Sequence, residues 1–98
     1  MEKWVNKVAI VTGASSGIGK DIAIRLVEHG LKVVGCGRNF DNLLKVKNEL
    51  SKDWKGEFTP FQCDVSKEED VIKMFHFVKT NFKELSIMIN NAGFSLEV

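Results

Sequence analysis

Tyrosine is absent from the 98 residues, proline occurs once, and cysteine and histidine occur twice each. No phenol is therefore available in this chain for proton transfer. Cys36 and Cys63 lack the spacing of metal ligands. Near the ends of neighbouring strands, they are expected to be small buried apolar residues rather than a disulfide or a redox couple. An excess of one charge sign is also lacking. A net charge of +1 gives no case for nucleic acid or an anionic membrane as the main partner, so any electrostatic preference must be local. The apolar runs fall far short of a membrane span, and Met1-Glu2-Lys3-Trp4 begins no signal-peptide pattern. The expectation is a reduced, cytoplasmic setting with no membrane partner and no metal site. What is present, 44% hydrophobic and 28% charged residues, is ordinary for one globular domain with a modest core.

The chain is organised around Val8-Ala9-Ile10-Val11-Thr12-Gly13-Ala14-Ser15-Ser16-Gly17-Ile18-Gly19. An apolar run suited to a strand buried on both faces passes through a glycine-rich turn into a helical pattern. Gly13 can make the tight turn, Gly17 lets a pyrophosphate approach the backbone, and Gly19 lets the new helix pack on the sheet. The first amides of that helix, from Ile18 onward, lie at its positive end and suit a phosphate, while Ser15 and Ser16 add small donors. Ile18, Ile22, Ala23, Leu26 and Val27 form the predicted buried stripe. Gly30 suits the left-handed residue that ends the helix, and His29 before it reads as a surface or capping residue.

A second strand over residues 31–37 ends at Gly37-Arg38. An acid here would accept from a ribose 2′-hydroxyl, as in NAD binding; a guanidinium instead suits the 2′-phosphate of NADP. NADP is expected, NAD less so, with an exposed surface arginine as the plain alternative. Asn39-Phe40-Asp41 signals a second helix with Leu43, Leu44, Val46, Lys47 and Leu50 on one face, aliphatic stems alongside, ending by Trp54-Lys55-Gly56. Pro60 places the third strand, residues 57–63, at a sheet edge. Ser66 to Glu69 reads as a capping box opening a third helix, with Val71, Met74, Phe75, Val78 and Phe82 inward and His76 outward. Residues 85–89 form a fourth strand leading into Asn90-Asn91-Ala92-Gly93. The amides of Asn90 and Asn91 can tie neighbouring strands, and small Ala92 and Gly93 allow a ribose near the backbone. The expected fold is α/β: a Rossmann-type doubly wound parallel sheet, truncated to about four strands in the order 3-2-1-4 with three helices, and a ligand crevice at the switch point between strands one and four.

Thr12 to Gly19 resembles the T-G-x-x-x-G-x-G cofactor loop of the short-chain dehydrogenase/reductase family, and Asn90-Asn91-Ala92-Gly93 is similar to its N-N-A-G motif. The resemblance spans the chain. It implies that a nicotinamide dinucleotide contacts Gly13, Ser15, Ser16, Gly17, Ile18 and Gly19, with Arg38 and Asn39 at the adenosine ribose. NADP-preferring members carry arginine at this place, though Ser16 stands where some have a second basic residue. The resemblance further implies that Asp64 and the Val65 N–H hold adenine, and that Asn91, Ala92 and Gly93 lie beside the cofactor. Asp64 is equally a turn former, and both readings stand. Glu2-Lys3-Trp4 and residues 30–38 resemble the farnesol dehydrogenase and dehydrogenase/reductase branch.

The family moves hydride between nicotinamide and an alcohol or carbonyl carbon, using a serine, an asparagine and a Tyr-x-x-x-Lys pair. With no tyrosine here, no catalytic residue is assigned, and Ser95 is too close to the N-N-A-G turn to serve. Residues 1–98 are expected to be the N-terminal half of the dinucleotide-binding domain of an NADP-dependent oxidoreductase. A small alcohol or carbonyl substrate and a homo-oligomer are then implied only for a full-length form. The alternative is a non-catalytic dinucleotide-binding or partner-binding module.

Overall fold

Every residue of β1 (Val8–Thr12) is buried, the pattern required of a strand covered on both faces. The computed structural model describes residues 6–82 and 85–91. The expectations for Glu2, Lys3, Trp4, Ala92, Gly93 and Ser95 lie outside the described residues. The remaining elements are α1 (Gly17–Glu28), β2 (Lys32–Gly37), α2 (Phe40–Glu49), β3 (Glu57–Gln62), α3 (Glu68–Asn81) and β4 (Ile87–Ile89). All the strand pairs are parallel, in the order β3-β2-β1-β4, so the chain winds outward through β2 and β3 and then crosses back beside β1. Pro60 thus lies on an edge strand, as expected of a residue with no N–H to donate.

Register turns sequence alternation into two cores. Ala9, Val11, Val33 and Phe58 pack with Ala23 and Val27 of α1 and with Leu43 and Val46 of α2. Val8, Ile10, Val34, Cys36 and Cys63 pack with Met74 and Val78 of α3 on the other face. Each large apolar side chain so buried contributes about 1.5–3 kcal/mol. Phe61 and Phe77 meet at 4.9 Å between ring centroids, tilted by 39°, and with Phe75 they pack partly buried against this second core.

Local chemistry sets the helix ends. Gly30, at φ +94°, closes α1: its N–H donates to the Val27 carbonyl and the Leu31 N–H to the Leu26 carbonyl, the paired bonds of a left-handed C-terminal stop. Asn39 caps α2 by accepting from the Asn42 N–H at 3.1 Å. α2 ends at Glu49, inside the expected limit of Trp54-Lys55-Gly56, with Leu50 extended as its C-cap. The predicted Ser66 cap of α3 does not form. Both donors of Ser66 bond to Asp64, and Lys67 takes the N-cap position without a side-chain bond. Ile18 also departs from the predicted stripe. Gly19, Ala23 and Val27 set the buried line of α1, leaving Ile18 71% exposed at the mouth of the helix.

Candidate functional site at the C-terminal edge of the sheet

Thr12 is the hub at the switch point. It is fully buried at the end of β1, and its Oγ1 accepts from the Asn91 N–H at 2.9 Å. The hydroxyl proton lies within reach of the Ile89 carbonyl (3.4 Å) and Asn90 Oδ1 (3.3 Å). Asn91 Nδ2 donates to the Gly13 carbonyl at 3.4 Å, so the expected amide tie between the ends of β1 and β4 is present. Thr12 was not foreseen as a site residue, because its partners lie more than seventy positions downstream. The available signals were its place at the head of the T-G-x-x-x-G-x-G pattern and a hydroxyl closing an otherwise apolar strand.

The loop from Gly13 to Gly17 is shaped by backbone that side chains resist. Gly13 has φ +63° and Gly17 φ +59°. A Cβ on Gly17 would meet nothing within 4 Å, so the space beside it is open to a ligand. Gly19 is the opposite case: a Cβ there would collide with the Gly13 carbonyl and the Asn91 amide, so only glycine lets α1 start this close to both strand ends. The loop is tied to β2 by the Ala14 N–H donating to the Cys36 carbonyl at 3.1 Å, and Ser15 Oγ lies beside Gly37.

The helices differ in how their positive ends are met. α2 has the Asn39 cap and Asp41 in its first turn; α3 has Glu68, Glu69 and Asp70. α1 has no acid in its first turn, and exposed Ser16 makes no side-chain cap bond. Among the described residues α1 alone starts without an anionic or capping side chain, which suits an external phosphate.

Arg38 follows β2 directly and its side chain is exposed. Its backbone is held to the edge strand, with Gln62 Nε2 donating to the Arg38 carbonyl at 3.1 Å and the Cys63 N–H to the Gly37 carbonyl at 2.9 Å. The side chain borders a depression of about 390 Å³ shared with Phe61, Gln62, Asp64, Lys67, Asp70 and Lys73. Asn39 spends its side-chain oxygen on the α2 cap, which leaves its amide N–H groups as donors.

Asp64 stands where β3 ends. Its Oδ1 accepts from the Ser66 hydroxyl at 2.6 Å and the Ser66 N–H at 3.0 Å. Those two bonds hold its carboxyl below the ordinary carboxylate value, with Lys67 and Arg38 acting in the same direction. Cys36 and Cys63 are free and buried. Burial pushes both thiols up, Cys63 to about 11, so neither is a nucleophile near neutral pH. Among the described residues no helix is long and apolar enough to cross a membrane, and no cluster could hold a metal ion.

A family model described as short chain dehydrogenase matches residues 7–98. The chain is 47% identical over 94 residues to dehydrogenase/reductase SDR family member 11 of Gallus gallus, covering 95% of this chain and 37% of that protein. It is 42% identical over 93 residues to farnesol dehydrogenase of Aedes aegypti, covering 95% and 38% respectively. It therefore spans little more than a third of the length of these relatives. Among solved structures, a metagenomic short-chain oxidoreductase in complex with NADP superposes with a TM-score of 0.86 at 33% identity, covering 93% of this chain and 41% of that one. L-sorbose reductase of Gluconobacter frateurii, complexed with NADPH and L-sorbose, gives 0.85 at 31% identity, covering 95% and 35%.

Proposed function

The chain belongs to the short-chain dehydrogenase/reductase family of oxidoreductases, and from that premise we propose that it binds NADP as the cofactor portion of an enzyme acting on an alcohol or carbonyl group. The observation that carries this reading is the exposed guanidinium of Arg38 at the end of the strand next to an uncapped helix start. A nucleotide diphosphate needs donors for its pyrophosphate, and the amides from Gly17 to Gly19 with the hydroxyls of Ser15 and Ser16 supply them. A 2′-phosphate needs a cation and further donors, which Arg38 and the Asn39 amide provide. Asp64 and the Val65 N–H are proposed to meet the adenine ring, and Asn91, with Ala92 and Gly93 after it, to border the adjoining ribose. Solved relatives holding NADP or NADPH support the preference for the phosphorylated form.

The open space at Gly17 fits such a group, whose nicotinamide would give or take the hydride when bound. This chain's own part is to bind and orient: Gly19 and the Thr12–Asn91 bond fix the spacing of α1, β1 and β4. Proton transfer belongs to a tyrosine outside these 98 residues, since they contain none. We propose accordingly that the chain is the N-terminal half of the dinucleotide-binding domain of a larger cytoplasmic, oligomeric enzyme. The second reading is a non-catalytic dinucleotide-binding or partner-binding module. Calorimetric titration with NADPH and NADH tests the cofactor assignment; tighter NADPH binding is expected, and binding of neither refutes it. A Tyr-x-x-x-Lys sequence in the transcript beyond the codon for Val98 decides for the enzyme over the module.

A further inference from the structure

Resting on the reading that a dinucleotide binds here, we propose that Asp70 is a positioning residue which, together with Ser66, restricts the Asp64 turn to one edge of one nucleobase. The turn offers several hydrogen-bonding groups, and most are already used. The Asp64 N–H donates to Asp70 Oδ2 at 2.9 Å, and the Asp64 carbonyl accepts from the Lys67 N–H at 2.9 Å. Oδ1 of Asp64 is taken by both donors of Ser66. Among the described residues, no group bonds to Asp64 Oδ2 or to the Val65 N–H. What remains for a ligand is one anionic acceptor next to one backbone donor.

That pair complements an amino group beside an unprotonated ring nitrogen, the edge that adenine presents. Hypoxanthine offers a carbonyl beside a ring N–H, the reverse pattern, and would face acceptor against acceptor. Asp70 matters because it removes a donor. With its carboxylate gone, the Asp64 N–H becomes a second backbone donor that can serve a carbonyl edge, and the turn loses its tie to α3. Three cations, Arg38, Lys67 and Lys73, line the same depression, so the charge of Asp70 and its acceptor role must be separated by experiment.

Calorimetry with NADPH and its hypoxanthine analogue makes that separation. The wild-type protein is expected to prefer NADPH, and Asp70→Ala to reduce the preference about tenfold, the worth of one hydrogen bond to a charged group. Asp70→Asn keeps an acceptor oxygen and is expected to hold the ratio within about twofold of wild type. Ser66→Ala removes the shorter of the two bonds to Oδ1 and leaves the backbone N–H alone to hold the carboxylate, so it is expected to lower the ratio as well; it decides the matter should Asp70→Ala fail to fold. A merely structural role would weaken both nucleotides equally. An unchanged ratio in Asp70→Ala and Ser66→Ala, beside clear discrimination by wild type, overturns this inference and leaves the cofactor reading standing. Equal wild-type affinity for the two nucleotides does the same, whereas binding of neither removes the cofactor reading as well.

Discussion

Replacing Arg38 with aspartate tests coenzyme selection at the group proposed to perform it. A guanidinium meeting a phosphate makes charge-assisted bonds of about 1.5–3 kcal/mol each, whereas a fully exposed ion pair is worth about 1 kcal/mol or less. Arg38 is exposed but borders a depression walled by Phe61 and Gln62, so its pair belongs between those limits. Removing the side chain, as in Arg38→Ala, is then expected to cost about 2 kcal/mol, or roughly thirtyfold in NADPH affinity. Aspartate adds repulsion. At an effective dielectric of about 20 and a separation of about 4 Å two unit charges interact by about 4 kcal/mol, and solvent exposure about halves that. Arg38→Asp should therefore lose about 4 kcal/mol, roughly a thousandfold, against NADPH. NADH has no 2′-phosphate, and its affinity should change by no more than about threefold. Titration calorimetry at low and high salt measures both coenzymes, and the NADPH advantage of wild type should shrink as salt screens the pair. Equal losses for NADPH and NADH would refute the assignment, because a shared loss means that Arg38 shapes the site without reading the phosphate.

Three other perturbations probe the scaffold. Gly19→Ala drives a methyl into the Gly13 carbonyl and the Asn91 amide, so a loss of about 1–3 kcal/mol is expected in urea unfolding; an unchanged midpoint would show that the contact is not tight. Thr12→Val keeps the shape but leaves the Asn91 N–H without its acceptor, costing about 1–3 kcal/mol, and hydrogen exchange at that amide should accelerate. Wild-type exchange rates in the variant would contradict the hub role of Thr12. The Cys63 thiol, raised above its ordinary value to about 11 chiefly by burial, stabilises the fold below that ordinary value and loses the contribution as pH climbs through 11. Iodoacetamide should accordingly label Cys63 slowly in the native protein at pH 8 and rapidly in urea; equal rates would mean that the thiol is not held in the core.

Legibility followed sequence distance. The apolar run of β1 marked a strand buried on both faces and the single proline marked an edge strand, since each is a property that the residues report for themselves, while the strand order came with the Rossmann-type pattern. The glycine spacing likewise anticipated the tight start of α1. Ser66 misled because an S-x-x-E pattern is read against the helix alone, while the Asp64 carboxylate two residues earlier accepts from both Ser66 donors and folds the residue into a turn ahead of the Lys67 N-cap. Ile18 fits the 3.6-residue period, yet it stands in the opening turn, outside the line fixed by Gly19, Ala23 and Val27. Thr12 and Asp70 were invisible as site residues for a different reason. Each matters through a partner that only folding brings close: Asn91 across the sheet for one, and the backbone of Asp64 beyond the turn for the other.

The most direct measurement is an NMR titration of the isotopically labelled protein with NADPH, following backbone amides and the arginine side chains. The amides of Ser16, Gly17, Ile18 and Gly19 should shift together with the Arg38 guanidinium, and the same loop amides should shift with NADH while Arg38 does not. Shifts confined to the cavity beside Lys47, Ser51 and Lys52 at the far end of α2, or no shifts at all, would contradict the claim that the start of α1 receives the phosphates.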